Sequence, residues 1–316
     1  MNPSENTTQK ESIFECSQYV FLVNGQTKKR IERSKYLTYF MSKILGYSVV
    51  YSGSRSEGVP SGKSDTDIMF EAEGVIAISR ETDLADNITC IFIYLKDVHQ
   101  GYTRLAFQND ENGKDYSEFA AHGSGLRFLR QPGSNYISNT LVLDYWNSQI
   151  DKIVPEHGNM KDSRFHGPCV LKSYAALKNQ AKVDITISFK SEWPAVAEEW
   201  LIRPRKYGWP SKELIDQIRS RGITLVPVGH ANSQNKELEW RLSFSKAERQ
   251  LVWSFNPTQL FCIGTMKAFF SIMITPNFPD LFPSYFIKTA MFWLIEETDY
   301  EVWKPENLLT LPGCFA

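Results

Sequence analysis

Hydrophobic positions in the first third of the chain change from helical to strand spacing. Apolar residues recur every three to four positions in QTKKRIERSKYLTYFMSKIL (26–45), which predicts a long helix. The segments YSVVYSG, DTDIMFE, GVIAIS, TCIFIYL and YTRLAF are rich in β-branched and aromatic residues, so each is predicted to be a strand of one mixed sheet. The polar residues 1–12 are expected to form a disordered tail.

The second half of the chain moves from strands to helices. Helical spacing predicts a helix over 134–154, and the alternation in KVDITISF (182–189) predicts a strand. The segment SKELIDQIRSRG begins with serine and ends with glycine, which are the residues that start and stop helices. After the predicted strands ITLVPVGH and LEWRLSF, almost everything from SKAERQLVWSF onward is predicted to be helical.

This order of elements predicts an α+β fold with two lobes and an active-site cleft between them. A long N-terminal helix and a mixed sheet would form the core lobe over residues 13–250. A helical lobe would follow over residues 251–316. A chain of 316 residues is long for one compact core and suits this arrangement.

Composition excludes several classes of protein. The chain is 42% hydrophobic and 22% charged, which is typical of globular proteins, and its net charge of -1 provides no global basic field for nucleic acid. Its five cysteines are scattered without a Cys/His cluster, so we expect a reducing, cytoplasmic setting and no structural zinc. It opens without an apolar leader and has no apolar run long enough to span a bilayer, so we expect no membrane association.

One segment, GSRSEGVPSGKSDTDIMFE (53–71), offers two candidate chemistries. A phosphate loop needs a glycine five positions before Gly62 and a helix after the lysine. Glu57 occupies that position, and the predicted strand DTDIMFE follows. The phosphate loop is therefore rejected, and the two aspartates of the segment become the candidates.

Three aspartates are the candidate metal ligands. Asp65 and Asp67 are two positions apart on a predicted strand, so their carboxylates project from one face and repel unless a cation neutralises them. Oxygen ligands of this kind suit Mg²⁺ or Mn²⁺, and Asp184 on the polar side of 182–189 is the candidate third carboxylate. Gly53 and Ser54, expected where a strand meets a helix, can bind phosphate. The alternative is that the Asp65–Asp67 pair only solvates an edge strand.

Several motifs resemble one family. GS–spacer–DxD with a distant aspartate is the signature of nucleotidyltransferases, and the later motifs HGPCV, WP, EWRLSFSKAERQLV and SYFIKTAMFW resemble the Mab-twenty-one domain family. That family includes cyclic GMP-AMP synthase and the animal cGAS-like receptors, and the resemblance covers roughly residues 25–310. It implies a template-free enzyme that joins two nucleoside triphosphates into a cyclic dinucleotide, releases pyrophosphate and signals through a STING-type receptor.

The resemblance also implies roles for individual residues. The catalytic acids and ligands of two Mg²⁺ or Mn²⁺ ions would be Asp65, Asp67 and Asp184. The triphosphate would lie on Gly53 and Ser54. The remaining nucleotide contacts would be base stacking by Arg241 and Tyr285, polar contacts from Ser243 and Ser284, and a phosphate contact from Lys267.

A basic face is the candidate site for an activating ligand. On the long helix it comprises Lys28, Lys29 and Arg33, and Arg203, Arg205 and Lys206 could extend it. Lys29 and Arg33 are i,i+4 neighbours and share a helix face. We predict that this face binds double-stranded RNA or another polyanion; the alternative is a solvated helix surface. The Cys/His cluster of the DNA-binding zinc thumb is absent from the sequence, which argues against DNA sensing in the same manner.

Two other functions compete with the cyclic dinucleotide synthase. The first is a non-catalytic Mab-twenty-one domain that binds nucleotides or protein partners in a developmental or scaffolding role. Many such relatives lack one of the acids, whereas this sequence has all three. The second is a templated or tailing polymerase, which is disfavoured because a long nucleic-acid substrate requires a cationic track.

Overall fold

The computed structural model describes residues 24–43, 47–59, 66–79, 89–107, 131–153, 160–166, 169–174, 181–278 and 283–310. The helices of this part of the chain are α1 (24–43), α2 (Gly53–Glu57), α3 (Asn139–Ile153), α4 (Glu198–Ile202), α5 (Lys212–Arg221), α6 (Ser245–Trp253), α7 (Pro257–Phe269) and α8 (Ser284–Glu297). The strands are β1 (Ser48–Ser52), β2 (Thr66–Ile78), β3 (Thr89–Tyr94), β4 (Tyr102–Ala106), β5 (Met160–His166), β6 (Cys169–Tyr174), β7 (Ala181–Ser191), β8 (Ile223–Val226) and β9 (Glu239–Ser243).

The described strands form one mixed sheet, as predicted. Its order is β1-β2-β3-β4-β9-β8-β7-β6-β5, with an additional pairing between β2 and β7. β2 is parallel to both β3 and β7, and antiparallel to β1. β2 is therefore an interior strand, so Asp67 does not lie on an edge strand as the alternative required, whereas Asp65 lies outside the described residues.

The chain is an α+β protein with two lobes. One hydrophobic core lies on the sheet and includes Phe70, Phe189 and Trp240. A second core joins α7 and α8 through residues such as Ile263 and Met291. The lobe boundary near residue 250 stays a prediction, and the predicted tail 1–12 lies outside the described residues.

Two features of the sheet differ from the prediction. DTDIMFE and GVIAIS belong to the single strand β2, because Gly74 takes a positive φ of 66° and the chain passes through an irregularity between Glu71 and Ile76 instead of turning. β5 and β6 were not predicted. The sequence of β5, MKDSRFH, lacks the apolar alternation that marks a half-buried strand.

The prediction that no apolar run is long enough to span a bilayer was wrong. Residues Pro257–Ile274, which are α7 and its π-helical continuation, are long and apolar enough by length and composition. This finding is weak, because core helices of globular proteins meet the same criterion. Here α7 contributes Leu260 and Ile263 to the helical core. Its one lysine, Lys267, is buried against α2. Packing thus explains part of the apolar sequence, since 33% of the segment is buried while Phe269, Ile272 and Met273 are exposed.

Candidate active site

Asp67 and Asp184 lie side by side on neighbouring parallel strands. The register of β2 and β7 places Asp67 directly opposite Asp184. Both residues line one cleft, while Phe70 on β2 and Ile185 on β7 are buried in the sheet core. The alternation of each strand thus sends its aspartate to the cleft and its apolar residues to the core. Asp65, the predicted partner of this pair, lies outside the described residues.

Gly53 lies against the carboxylate of Asp67. It follows β1 directly, begins α2 and has a φ of +76°, so the predicted junction of strand and helix is confirmed. A Cβ atom at Gly53 would lie 2.1 Å from Asp67 Oδ2 and 3.1 Å from Asp67 Cγ. Only glycine satisfies both the backbone angle and the close approach. The position therefore brings the Gly53 backbone directly over one acid of the pair.

We expect Gly53→Ala to disrupt the cleft far more than backbone strain explains. The new methyl group must displace the Asp67 carboxylate, and a shift of about 1 Å costs roughly a hundred-fold in rate. The matched control is Gly133→Ala, because Gly133 has a φ of +73° but a Cβ atom added there would meet nothing within 4 Å. The control should lose only about 1–2 kcal/mol of unfolding free energy. Nucleotide transfer and thermal unfolding of both variants check this, and equal transfer rates would contradict it.

The cleft has a volume of about 590 Å³, which is within the range of small-molecule sites. Arg241 and Ser243 line it from β9, and Tyr285 and Lys288 line it from α8. Arg241 is exposed, and Tyr285 is 53% exposed at the start of its helix. The sheet lobe thus supplies a guanidinium and the helical lobe an aromatic ring to the same space. The side chain of Ser284 lies outside the described residues.

Lys267 lies behind the glycine–serine turn instead of in the lining of the cleft. Its Nζ donates to Ser54 Oγ at 2.9 Å and to the Val59 carbonyl at 3.3 Å, and lies 3.7 Å from Glu57 Oε2. The side chain is 3% exposed, and burial lowers its pKa. The predicted phosphate lysine therefore holds Ser54 in this structure.

Lys288, which the sequence reasoning missed, is the lysine that lines the cleft. It is three residues after Tyr285 on α8, and this spacing places both on one helix face. Its Nζ lies 2.7 Å from Glu57 Oε1 and 2.7 Å from Glu248 Oε2. Burial alone would lower the pKa of Lys288, but attraction to these two carboxylates outweighs it and raises the pKa. Lys288 is therefore a cation at neutral pH.

The predicted basic face is only partly present. Arg203 donates to Glu296 on α8 at 2.6 Å, and Arg205 lies 3.8 Å from the same carboxylate, so neither presents a free charge. Their contribution to an activating-ligand face stays a prediction, and the sequence does not show that Glu296 folds back onto them. Lys206 is exposed, and so are the helical members Lys28, Lys29 and Arg33.

The described residues contain no group of three or more His, Cys, Asp or Glu side chains that could hold a metal ion. Asp67 and Asp184 nevertheless fit one as a pair. They occupy adjacent register positions in one cleft, and the backbone of Gly53 leaves the Asp67 carboxylate room that a Cβ would take. Carboxylate oxygens are the ligands that Mg²⁺ and Mn²⁺ prefer.

Comparison with known families agrees with this geometry. Residues 85–253 match the Mab-21 protein nucleotidyltransferase domain, a little over half of the chain. The match contains Asp184 on β7 and Arg241 on β9, whereas Gly53, Asp67 and Tyr285 reach the same cleft from outside the matched range. With a mixed-sheet lobe, a helical lobe and a carboxylate-bearing cleft around this match, the chain belongs to the Mab-21 nucleotidyltransferase family.

Proposed function

We propose that this protein is a metal-dependent cyclic dinucleotide synthase that joins two nucleoside triphosphates and releases pyrophosphate. The observation that carries the proposal is the register pairing of Asp67 with Asp184 beneath Gly53, in a cleft that also contains Arg241 and Tyr285. A pair of carboxylates alone would also be compatible with many hydrolases. Acids beside an aromatic ring and a guanidinium suit a substrate that carries both phosphates and bases.

Asp67 and Asp184 would hold the divalent ions, with Asp65 as the third predicted ligand. When bound, Mg²⁺ or Mn²⁺ neutralises the charge that develops on the transferring phosphoryl group. The protein contributes the placement of the acids, which is fixed by the β2–β7 register.

The other cleft residues would bind and orient the two nucleotides. The Gly53 backbone and the Ser54 hydroxyl, which Lys267 holds at 2.9 Å, would contact the triphosphate. Arg241 and Tyr285 would stack on the bases, and Ser243 would contribute a polar contact. Stacking tolerates several bases because every base has a π face.

The reaction itself is an in-line displacement. The acceptor hydroxyl oxygen forms a bond to the α-phosphorus while the bond between the α-phosphorus and the bridging oxygen breaks, and pyrophosphate leaves. Asp184 would accept the hydroxyl proton as general base. Repeating the step on the linear product closes the ring.

The remaining parts of the proposal concern biology. We place the enzyme in cytoplasmic innate immunity and antiviral defence, where a STING-type receptor would read its product. Double-stranded RNA or another polyanion would activate it through Lys28, Lys29 and Arg33, three of the exposed cations of α1. Arg203 and Arg205 are left out of this surface because Glu296 pairs with them.

A product assay tests the proposed function. The protein is incubated with all four labelled triphosphates, Mg²⁺ or Mn²⁺, and a panel of double-stranded RNA, double-stranded DNA and heparin. We expect a phosphatase-resistant cyclic dinucleotide and stoichiometric pyrophosphate in at least one condition. Nucleotide binding without any product would instead favour a non-catalytic scaffolding domain, and elongated products would favour a polymerase.

A further inference from the structure

A second cavity, lined by tryptophans, adjoins the catalytic cleft. Its volume is about 280 Å³, and Trp193, Trp200, Trp209 and Trp293 all line it. The protein has eight tryptophans, so half of them surround this one space. None of the four is fully buried, so the hydrophobic core does not cover the whole surface of any of these side chains. Such a concentration of partly exposed aromatic surface marks a binding site.

Two of the tryptophan N–H groups and all three charged side chains of the wall have partners within the protein. Trp193 Nε1 donates to the Ala197 carbonyl at 3.1 Å, and Trp209 Nε1 donates to Ser254 Oγ at 3.0 Å. Glu296 is paired with Arg203, which lies 4.3 Å over the Trp293 ring. Glu248, the other carboxylate of the wall, is paired with Lys288. A ligand therefore meets apolar ring faces and already neutralised charges.

The cavity and the cleft share a wall. Phe244, Glu248 and Tyr285 line both spaces. Tyr285 is the residue proposed to stack on a nucleobase, and it begins the helix that also carries Trp293. A molecule in the cavity would therefore contact Tyr285, which also lines the catalytic cleft.

We propose that this tryptophan-lined cavity, called the tryptophan pocket, binds a neutral, planar aromatic molecule of about two fused rings and thereby changes nucleotide affinity in the adjoining cleft. The volume is just below the range of about 300–1,000 Å³ for drug-sized ligands, so one small bicyclic ring system fits. Neutrality follows because every charged side chain of the wall has a partner. Binding in the pocket is additional to the proposed transferase function, and only its effect on nucleotide affinity rests on that proposed function.

The binding test uses 5-fluoroindole as a neutral bicyclic probe, observed by ¹⁹F NMR. We expect saturable binding to the wild-type protein. The dissociation constant for Thr289→Phe should be at least ten-fold larger, because the new ring occupies the pocket. The matched control is Ala290→Phe, the exposed next position on α8, which should bind as the wild type does. Because overpacking can impair folding, Trp293→Ala is a second variant; it removes a half-exposed wall and should also weaken binding.

The coupling test measures nucleoside triphosphate affinity with and without saturating 5-fluoroindole. We expect at least a three-fold change in the wild type and none in Thr289→Phe. Absence of saturable probe binding, or equal binding by wild type and folded Thr289→Phe, would overturn the site. Saturable binding with unchanged nucleotide affinity would overturn the coupling. Neither result requires product formation, so failure here is distinct from failure of the proposed synthase.

Discussion

Asp184→Asn should abolish nucleotide transfer while the protein still binds triphosphate. Asparagine keeps the shape of the side chain but removes the charge, and Asp184 is the acid proposed to act on the acceptor hydroxyl. Loss of about 4 kcal/mol of transition-state stabilisation corresponds to roughly a thousand-fold in rate. Asp67→Asn should reduce both transfer and binding, because Asp67 contacts the Gly53 turn on which the triphosphate is proposed to lie. Single-turnover kinetics with a separate binding measurement distinguish the two effects.

Asp216→Asn is the control for the loss of one aspartate charge. Asp216 is an exposed residue on α5 and does not line the cleft. It should leave both the transfer rate and triphosphate affinity unchanged. If Asp184→Asn transfers nucleotides at the normal rate, Asp184 is not a catalytic residue. The interpretation of the β2–β7 register pair as a catalytic acid pair would then be wrong.

Asp184 could be predicted from a local pattern, because the apolar residues of KVDITISF alternate with polar ones and leave the acid on the opposite face. In DTDIMFE three apolar residues follow Asp67 in a row, so that pattern predicts a strand but does not identify its buried face. The pairing of the two aspartates across more than a hundred residues came only from the family resemblance. The structure supplies the register that local spacing does not contain.

The charged residues were harder to predict, because a partner distant in sequence decides what a lysine or arginine does. Arg203 is paired with Glu296, 93 positions away, and Lys267 is bonded to Ser54, 213 positions away. Neither contact is visible in the sequence around the cation. Lys288 was missed as well, although its spacing of three residues from Tyr285 is a local signal that would have placed it on the cleft face of α8.

Glu57→Gln should destabilise the fold by about 3–5 kcal/mol, as expected when one partner of a buried ion pair loses its charge. Glu57 is 2% exposed and accepts from Lys288 at 2.7 Å, with Lys267 at 3.7 Å. Lys288 would then keep Glu248 as its carboxylate partner, and Lys267 would lose the carboxylate that lies 3.7 Å away. The consequence reaches the cleft, because Lys267 holds Ser54 and Lys288 lines the cleft beside Tyr285. Urea unfolding at pH 7–8 measures the loss.

The solution pH matters for this experiment. The pKa of Lys288 is higher in the folded protein than its ordinary value of about 10.4, so its stabilising contribution is complete below that pH. It is lost only as the pH rises through the folded-state value. Burial lowers the pKa of Lys267, so the charged form of this lysine opposes folding and its deprotonation as the pH rises favours the folded state. Measurements near neutrality therefore report the network with Lys288 charged.

Two further variants separate charge imbalance from a general effect of replacing glutamate. Glu301→Gln removes an exposed carboxylate that pairs with Lys304, and should cost less than about 1 kcal/mol. Glu57→Gln combined with Lys267→Met removes one charge of each sign, and should recover much of the unfolding free energy because the remaining Lys288–Glu248 pair is balanced. The double variant should still transfer nucleotides poorly, since Ser54 no longer has the Lys267 bond. If Glu57→Gln and Glu301→Gln lower the free energy of unfolding by the same amount, the buried network does not stabilise the cleft. Ser54 and Tyr285 must then be held by other contacts.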